Sequence, residues 1–139
     1  MSKNDGGLRA LFRRRLPHFH WTSVETPMTE SGVPDLNFCA EGIDGWIECK
    51  RARHWEVSLR PAQIGWLMRR ARAGGCAFVA VRRALPSDEL WLLRGAFAAD
   101  LKKDGLPREP ARQHQLVGLW SGGPARWDWN QIARALVDG

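Results

Sequence analysis

The stretch from Ser31 to Lys50 constrains this chain more than any other. Ser31-Gly32-Val33-Pro34-Asp35 carries turn chemistry, because glycine and proline favour tight reversals. Leu36 to Ala40 is short, apolar and rich in large side chains, which predicts a strand. Glu41 to Gly45 reads as a second turn and Trp46 to Lys50 as a second strand. Strand side chains alternate between faces, so Glu48 and Lys50 share one face, and Ile47 and Cys49 the other. If the strands pair, Asp35 at the start of the first lies near Glu48 and Lys50 at the end of the second. Two carboxylates and an ammonium then meet at the mouth of a sheet.

Carboxylates held that close repel unless a cation or a proton sits between them. Their oxygens suit a hard cation such as Mg²⁺ or Mn²⁺. A bound metal of this kind activates water and neutralises charge on a phosphodiester. A neighbouring lysine orients or deprotonates water, or stabilises developing negative charge. Glu48-Cys49-Lys50 alone favours an edge hairpin carrying an ordinary solvated Glu/Lys pair. Gly32-Val33-Pro34-Asp35 at hairpin distance shifts the balance toward a site.

The combination resembles the PD-(D/E)xK nuclease superfamily, and more narrowly the small VRR-NUC-type and phage Holliday-junction-resolvase-like endonucleases. Pro34-Asp35 and Glu48-Cys49-Lys50 match that pattern residue by residue, over a region of resemblance spanning roughly residues 20–82. Gln63, in Leu59-Arg60-Pro61-Ala62-Gln63, matches the glutamine such nucleases often carry early in the next helix. The resemblance implies an α/β fold with a restriction-endonuclease-like αβββαβ core, a mixed sheet flanked by helices. It also implies Mg²⁺-dependent cleavage of DNA, with Mn²⁺ able to substitute. Asp35, Glu48 and the backbone carbonyl of Cys49 would hold the metal. Lys50 would position or activate water, and Gln63 would support Lys50 or the attacking water. Related nucleases commonly place an acid in their first helix, which this chain lacks. Glu25 is the preferred substitute as a further metal-site carboxylate, ahead of Glu30 and of Asp5, which lies before the helix.

A chain of 139 residues, 44% hydrophobic, suits one domain with a real core. No apolar run approaches a membrane span, and the basic N-terminus lacks the apolar segment of a secretory signal. A soluble cytoplasmic protein of a bacterium or phage-infected cell is therefore expected. Cys39, Cys49 and Cys76 lack CxxC spacing and read as buried thiols rather than a zinc or disulfide framework. The formal charge of +6 favours a polyanionic partner without saying which. The eight tryptophans read mainly as core or interface. There is no P-loop or dinucleotide motif, so no nucleotide cofactor is expected.

Residues 1–7 read as frayed, and Leu8 to Leu16 as an amphipathic helix ended by Pro17. Its basic face, with Arg13 and Arg14, is either simply solvated or contacts phosphates. His18 to Thr26 reads as the first strand. Arg51 to Ser58 reads as a loop leaving the site, where Arg51, Arg53 and His54 would meet phosphate oxygens. Pro61 opens a helix ended by Gly74-Gly75, with Ser58 a possible cap. Cys76 to Val81 reads as a central strand, Glu89 to Leu93 as another, and Gly95 to Leu101 as a short helix. Arg112 to Leu119 is ambiguous, and Asp128 is placed to cap a last helix over Trp129 to Val137. Residues 95–139 carry no catalytic pattern and read as a packing or interface extension.

The sequence thus points to a single-domain (1–139), metal-dependent endonuclease, structure-selective on branched duplex DNA and acting as a homodimer. A sequence-specific or general nicking nuclease of the same fold is the main enzymatic alternative. A non-catalytic DNA-binding module on a nuclease fold is the alternative from another class.

Overall fold

The structure is a computed structural model that describes residues 5–24 and 31–139. Six strands form one mixed sheet in the order β1-β2-β3-β4-β5-β6, with β1 His20–Ser23, β2 Leu36–Ala40, β3 Ile43–Ala52, β4 Cys76–Arg83, β5 Glu89–Arg94 and β6 Leu116–Trp120. The pair β3 and β4 is parallel, and every other neighbouring pair is antiparallel. A parallel pair needs a crossover, and helix α2 (Pro61–Arg72) supplies it. The other helices are α1 (Leu8–Arg15), α3 (Ala98–Asp104) and α4 (Trp129–Asp138). The chain from α1 to β4 therefore runs α-β-β-β-α-β.

The hairpin between β2 and β3 is tighter than the sequence suggested. Only Glu41 and Gly42 turn, both with positive φ (52° and 79°), and Ile43 already pairs with Ala40. Such two-residue turns match the strand twist. At its far end β3 runs on through Arg51 and Ala52, paired with Arg82 and Arg83, so those two residues are strand rather than loop. The parallel partner, itself two residues longer than expected, holds them there. The first strand is shorter than expected, at four residues.

Two apolar layers sandwich the sheet. On one face Leu8, Leu11 and Phe12 of α1 and Ile132 and Leu136 of α4 pack on Phe38, Ile47, Cys49, Phe78 and Leu92. On the other, Leu67 of α2 and Leu101 of α3 pack on Val79, Val81, Trp91 and Leu93. That second layer reaches no residue of β1 or β2. On this face His20, Thr22 and Cys39 are exposed and Asn37 is half-buried, leaving an open polar shelf beside α2. Cys39 is thus a correction to the expectation of three buried thiols: Cys49 is buried, but Cys76 is half-buried and Cys39 exposed.

The C-terminal third builds the domain itself. β6 adds the sixth strand and α4 closes one core layer, with Asp128 accepting a hydrogen bond from the Gln131 N–H at 3.1 Å as expected of a cap. Among the described residues no helix is long and apolar enough to cross a membrane.

Candidate active site

Alternation along β3 sends Ile47 and Cys49 into the α1/α4 layer and turns Glu48 and Lys50 toward α2. The register that pairs Leu36 with Ile47 puts Asp35 beside Glu48, one step before β2 begins. Gln63 arrives from above, on the first turn of α2. Its N-terminal placement is fixed by Pro61 at the helix start and by the Arg60 N–H, which donates to Gln63 Oε1 at 2.9 Å. Arg60, not Ser58, is the capping residue.

Gly32 explains why the first turn needs glycine. Its φ is +73°, and a Cβ there would stand 2.1 Å from the Ala62 carbonyl oxygen and 2.7 Å from the Gln63 nitrogen. The Gly32-Val33-Pro34 turn therefore lies directly on the α2 backbone. This contact fixes Asp35 and Gln63 relative to each other.

Four side chains meet as a result. Gln63 Nε2 donates to Glu48 Oε2 at 2.9 Å, and Lys50 Nζ donates to Gln63 Oε1 at 3.2 Å. Lys50 Nζ also lies 3.6 Å from Glu48 Oε2. Asp35 Oδ2 accepts the Cys49 N–H at 3.0 Å. The N–H and C=O of one strand residue point to the same edge. The Cys49 carbonyl therefore points toward Asp35, beyond the end of the β2 ladder. The Cys49 thiol is on the opposite face, where burial pushes its pKa well above the usual range and keeps it neutral.

The electrostatics of the pair are strained. Burial first, and then the Asp35 charge, push Glu48 up to about 8; Lys50 and Arg60 only partly offset this. Burial also raises Asp35, against the opposing effects of the Cys49 N–H, Arg9 and Lys50. Glu48 Oε1 is buried with no hydrogen-bond partner. A buried unpaired carboxylate oxygen costs about 1–3 kcal/mol or more, so a donor set of this kind is complete only with a proton or a cation.

No family model matches the chain, and no curated protein does either.

Of the residues singled out in the sequence, Asp35, Glu48, Lys50, Gln63 and the Cys49 backbone are brought together. Glu25 lies outside the described residues. Arg13 and Arg14 are exposed on α1, across the sheet from Glu48 and Lys50, and Arg13 hydrogen-bonds the Ser23 hydroxyl at the edge of β1. Arg51, Arg53 and His54 are exposed at the end of β3; alternation puts Arg51 on the α1 face, beside Gly6 and away from Glu48 and Lys50, and Arg53 and His54 follow the strand's last residue.

The sequence reading passed over Asp5. Residues 5–7 are not frayed: the Gly6 carbonyl accepts from Arg82 Nη1 at 2.9 Å. Asp5 is buried and holds the Gly7 N–H at 2.8 Å and Arg9 Nε at 3.1 Å. The charges of Asp5 and Arg9 both act on Asp35, with opposite signs. Asp5-Gly6-Gly7 just before an amphipathic run was the available signal, since aspartate satisfies orphan N–H groups at helix starts. On the same side of the sheet the Arg70 guanidinium of α2 stacks over Trp66 (4.5 Å) and Trp46 (5.5 Å).

Proposed function

We propose that this protein is a divalent-metal-dependent endonuclease that hydrolyses DNA phosphodiester bonds, on a restriction-endonuclease-like core. The observation that carries the reading is the orphaned Glu48 Oε1, buried beside a second raised carboxylate with Lys50 and Gln63 in contact. Asp35, Glu48 and the Cys49 carbonyl fit a hard cation: all three offer oxygen, and the unpaired oxygen lacks only a positive partner. Among the described residues no group of three His, Cys, Asp or Glu could hold a metal. Two carboxylates plus a carbonyl suit Mg²⁺, which keeps several of its own waters.

Asp35, Glu48 and the Cys49 carbonyl would hold Mg²⁺ there, and it would supply a water of lowered pKa and neutralisation of charge on the phosphodiester. The chain's own groups supply the rest. Gln63 fixes both partners at once, holding Glu48 by its amide nitrogen and Lys50 by its oxygen. Lys50 Nζ, so held, keeps N–H donors for a water or a non-bridging phosphate oxygen. Asp35 is kept in line by the Cys49 N–H. The open shelf over β1 and β2 leaves room for a nucleic acid to approach, and Arg51, Arg53 and His54 take backbone phosphates beyond the site. No covalent enzyme intermediate is needed.

The reading includes selectivity for branched duplexes, cut symmetrically by two copies. Cleavage of matched linear, nicked, flap and four-way-junction DNA with Mg²⁺ or Mn²⁺ tests it. Cutting concentrated at the junction supports a resolvase; equal cutting of all four makes it a general or nicking nuclease.

A further inference from the structure

The turn joining β4 to β5 exposes a leucine in an unusual setting. Leu85 is 74% exposed, against 42% for Leu119, the other large hydrophobic side chain that stands out in solvent among the described residues. A lone exposed leucine needs no explanation; one on a braced tip between arginines does. The tip is braced from several sides. The Asp88 N–H donates to the Ala84 carbonyl at 2.9 Å, and Arg82 grips Asp88 through two bonds of 2.8 Å. The Ser87 carbonyl accepts the Gly122 N–H at 2.7 Å.

Beside the tip runs a groove of about 620 Å³. Arg51, Arg53 and His54 line one wall, Arg83, Leu85 and Pro86 the other, and among the described residues no carboxylate lines it. The walls are tied together. Arg83 Nε donates to the His54 carbonyl at 3.0 Å, and the Arg83 guanidinium stacks on Trp55 at 3.7 Å. The groove opens at the end of β3, where Arg53 follows the last strand residue, Ala52, beyond Lys50.

We propose that this groove receives DNA at a strand branch, with Arg51 and Arg53 on phosphates and Leu85, backed by Pro86, wedged where the bases part. Apolar wedges of this kind unstack a base step at a cost of a few kcal/mol. The cost falls where bases are already unpaired. A Leu85 wedge therefore discriminates for forks and junctions over continuous duplex without reading sequence. The proposal rests on the DNA reading of the neighbouring site and adds the element that selects the substrate's shape.

The test is binding by the full-length chain in EDTA, so that no strand is cut. Fluorescence anisotropy compares a continuous duplex with a fork of the same sequence, and 2-aminopurine at the branch reports unstacking. Wild type should prefer the fork by about tenfold or more, a modest part of the unstacking cost, and brighten 2-aminopurine. Leu85→Ala should keep duplex affinity and thermal stability but lose both the preference and the brightening. Arg53→Ala should weaken both substrates alike and flatten the salt dependence. Unchanged preference and signal in Leu85→Ala would overturn the wedge, as would failure of wild type to bind either DNA. Lys50→Ala should keep the fork preference. A Leu85-dependent preference in a protein that never cuts DNA would sink the nuclease reading and leave the wedge standing. A cutting enzyme indifferent to Leu85 would do the reverse.

Discussion

Glu48→Gln should make the metal-free protein more stable, and increasingly so as pH rises. The folded protein holds Glu48 at about 8, against an ordinary 4.5, chiefly because its carboxyl is buried. A carboxyl raised by folding contributes its stability fully below its unfolded pKa and loses it as pH climbs through the folded value. Here the loss runs from about pH 4.5 to about pH 8. At about 1.4 kcal/mol per pH unit, the loss approaches about 5 kcal/mol above that window and is already about 3 kcal/mol at pH 7. A glutamine side chain in place of Glu48 cannot ionise, keeps the shape, and preserves a bond to Gln63. Part of that rise is repulsion from Asp35, which the variant also removes. Urea unfolding in EDTA at fixed ionic strength, from about pH 5 to about pH 9, reads the effect directly. Wild type should fall away from Glu48→Gln across that range, and Mg²⁺ should restore wild type at the alkaline end but not the variant. Parallel pH profiles for the two proteins would refute the claim that Glu48 is held as a strained, metal-ready carboxyl.

Three further outcomes follow from named contacts. Gly32→Ala places a methyl 2.1 Å from the Ala62 carbonyl at a φ of +73°; it should cost about 2 kcal/mol or more in urea unfolding and depress cleavage, because the turn and α2 must part. Gln63→Ala leaves Glu48 Oε2 and Lys50 without the side chain that orients them; kcat should drop about 10- to 100-fold, as for other groups that orient ligands, with DNA affinity kept. Asp128→Ala removes the cap on α4 and should cost about 1 kcal/mol in thermal unfolding while sparing cleavage, since α4 packs away from the site.

The heart of the site was legible because its signals are local. Strand alternation alone put Glu48 and Lys50 on one face, and the turn residues Gly32 and Pro34 announced where Asp35 begins its strand. What escaped was set by partners distant in sequence. Arg51 and Ala52 are strand because β4 extends far enough to pair with them. Leu116–Trp120 is strand because β5 offers an edge, a fact invisible in the residues themselves. Cys39 looks like core, yet among the described residues no helix packs on its face of β2. Asp5 ranks low in sequence because it precedes the helix, yet with Gly6 docked on Arg82 it lies within electrostatic reach of Asp35.

The most direct test of the central claim is cleavage of four-way-junction and linear duplex DNA, wild type beside Lys50→Ala, with Mg²⁺ and then with EDTA. The account predicts cleavage by wild type in Mg²⁺, its loss in EDTA, and its near-abolition in Lys50→Ala with folding and DNA affinity retained. Full Mg²⁺-dependent activity in Lys50→Ala, or no cleavage by wild type of linear or branched DNA under any divalent metal, would contradict it.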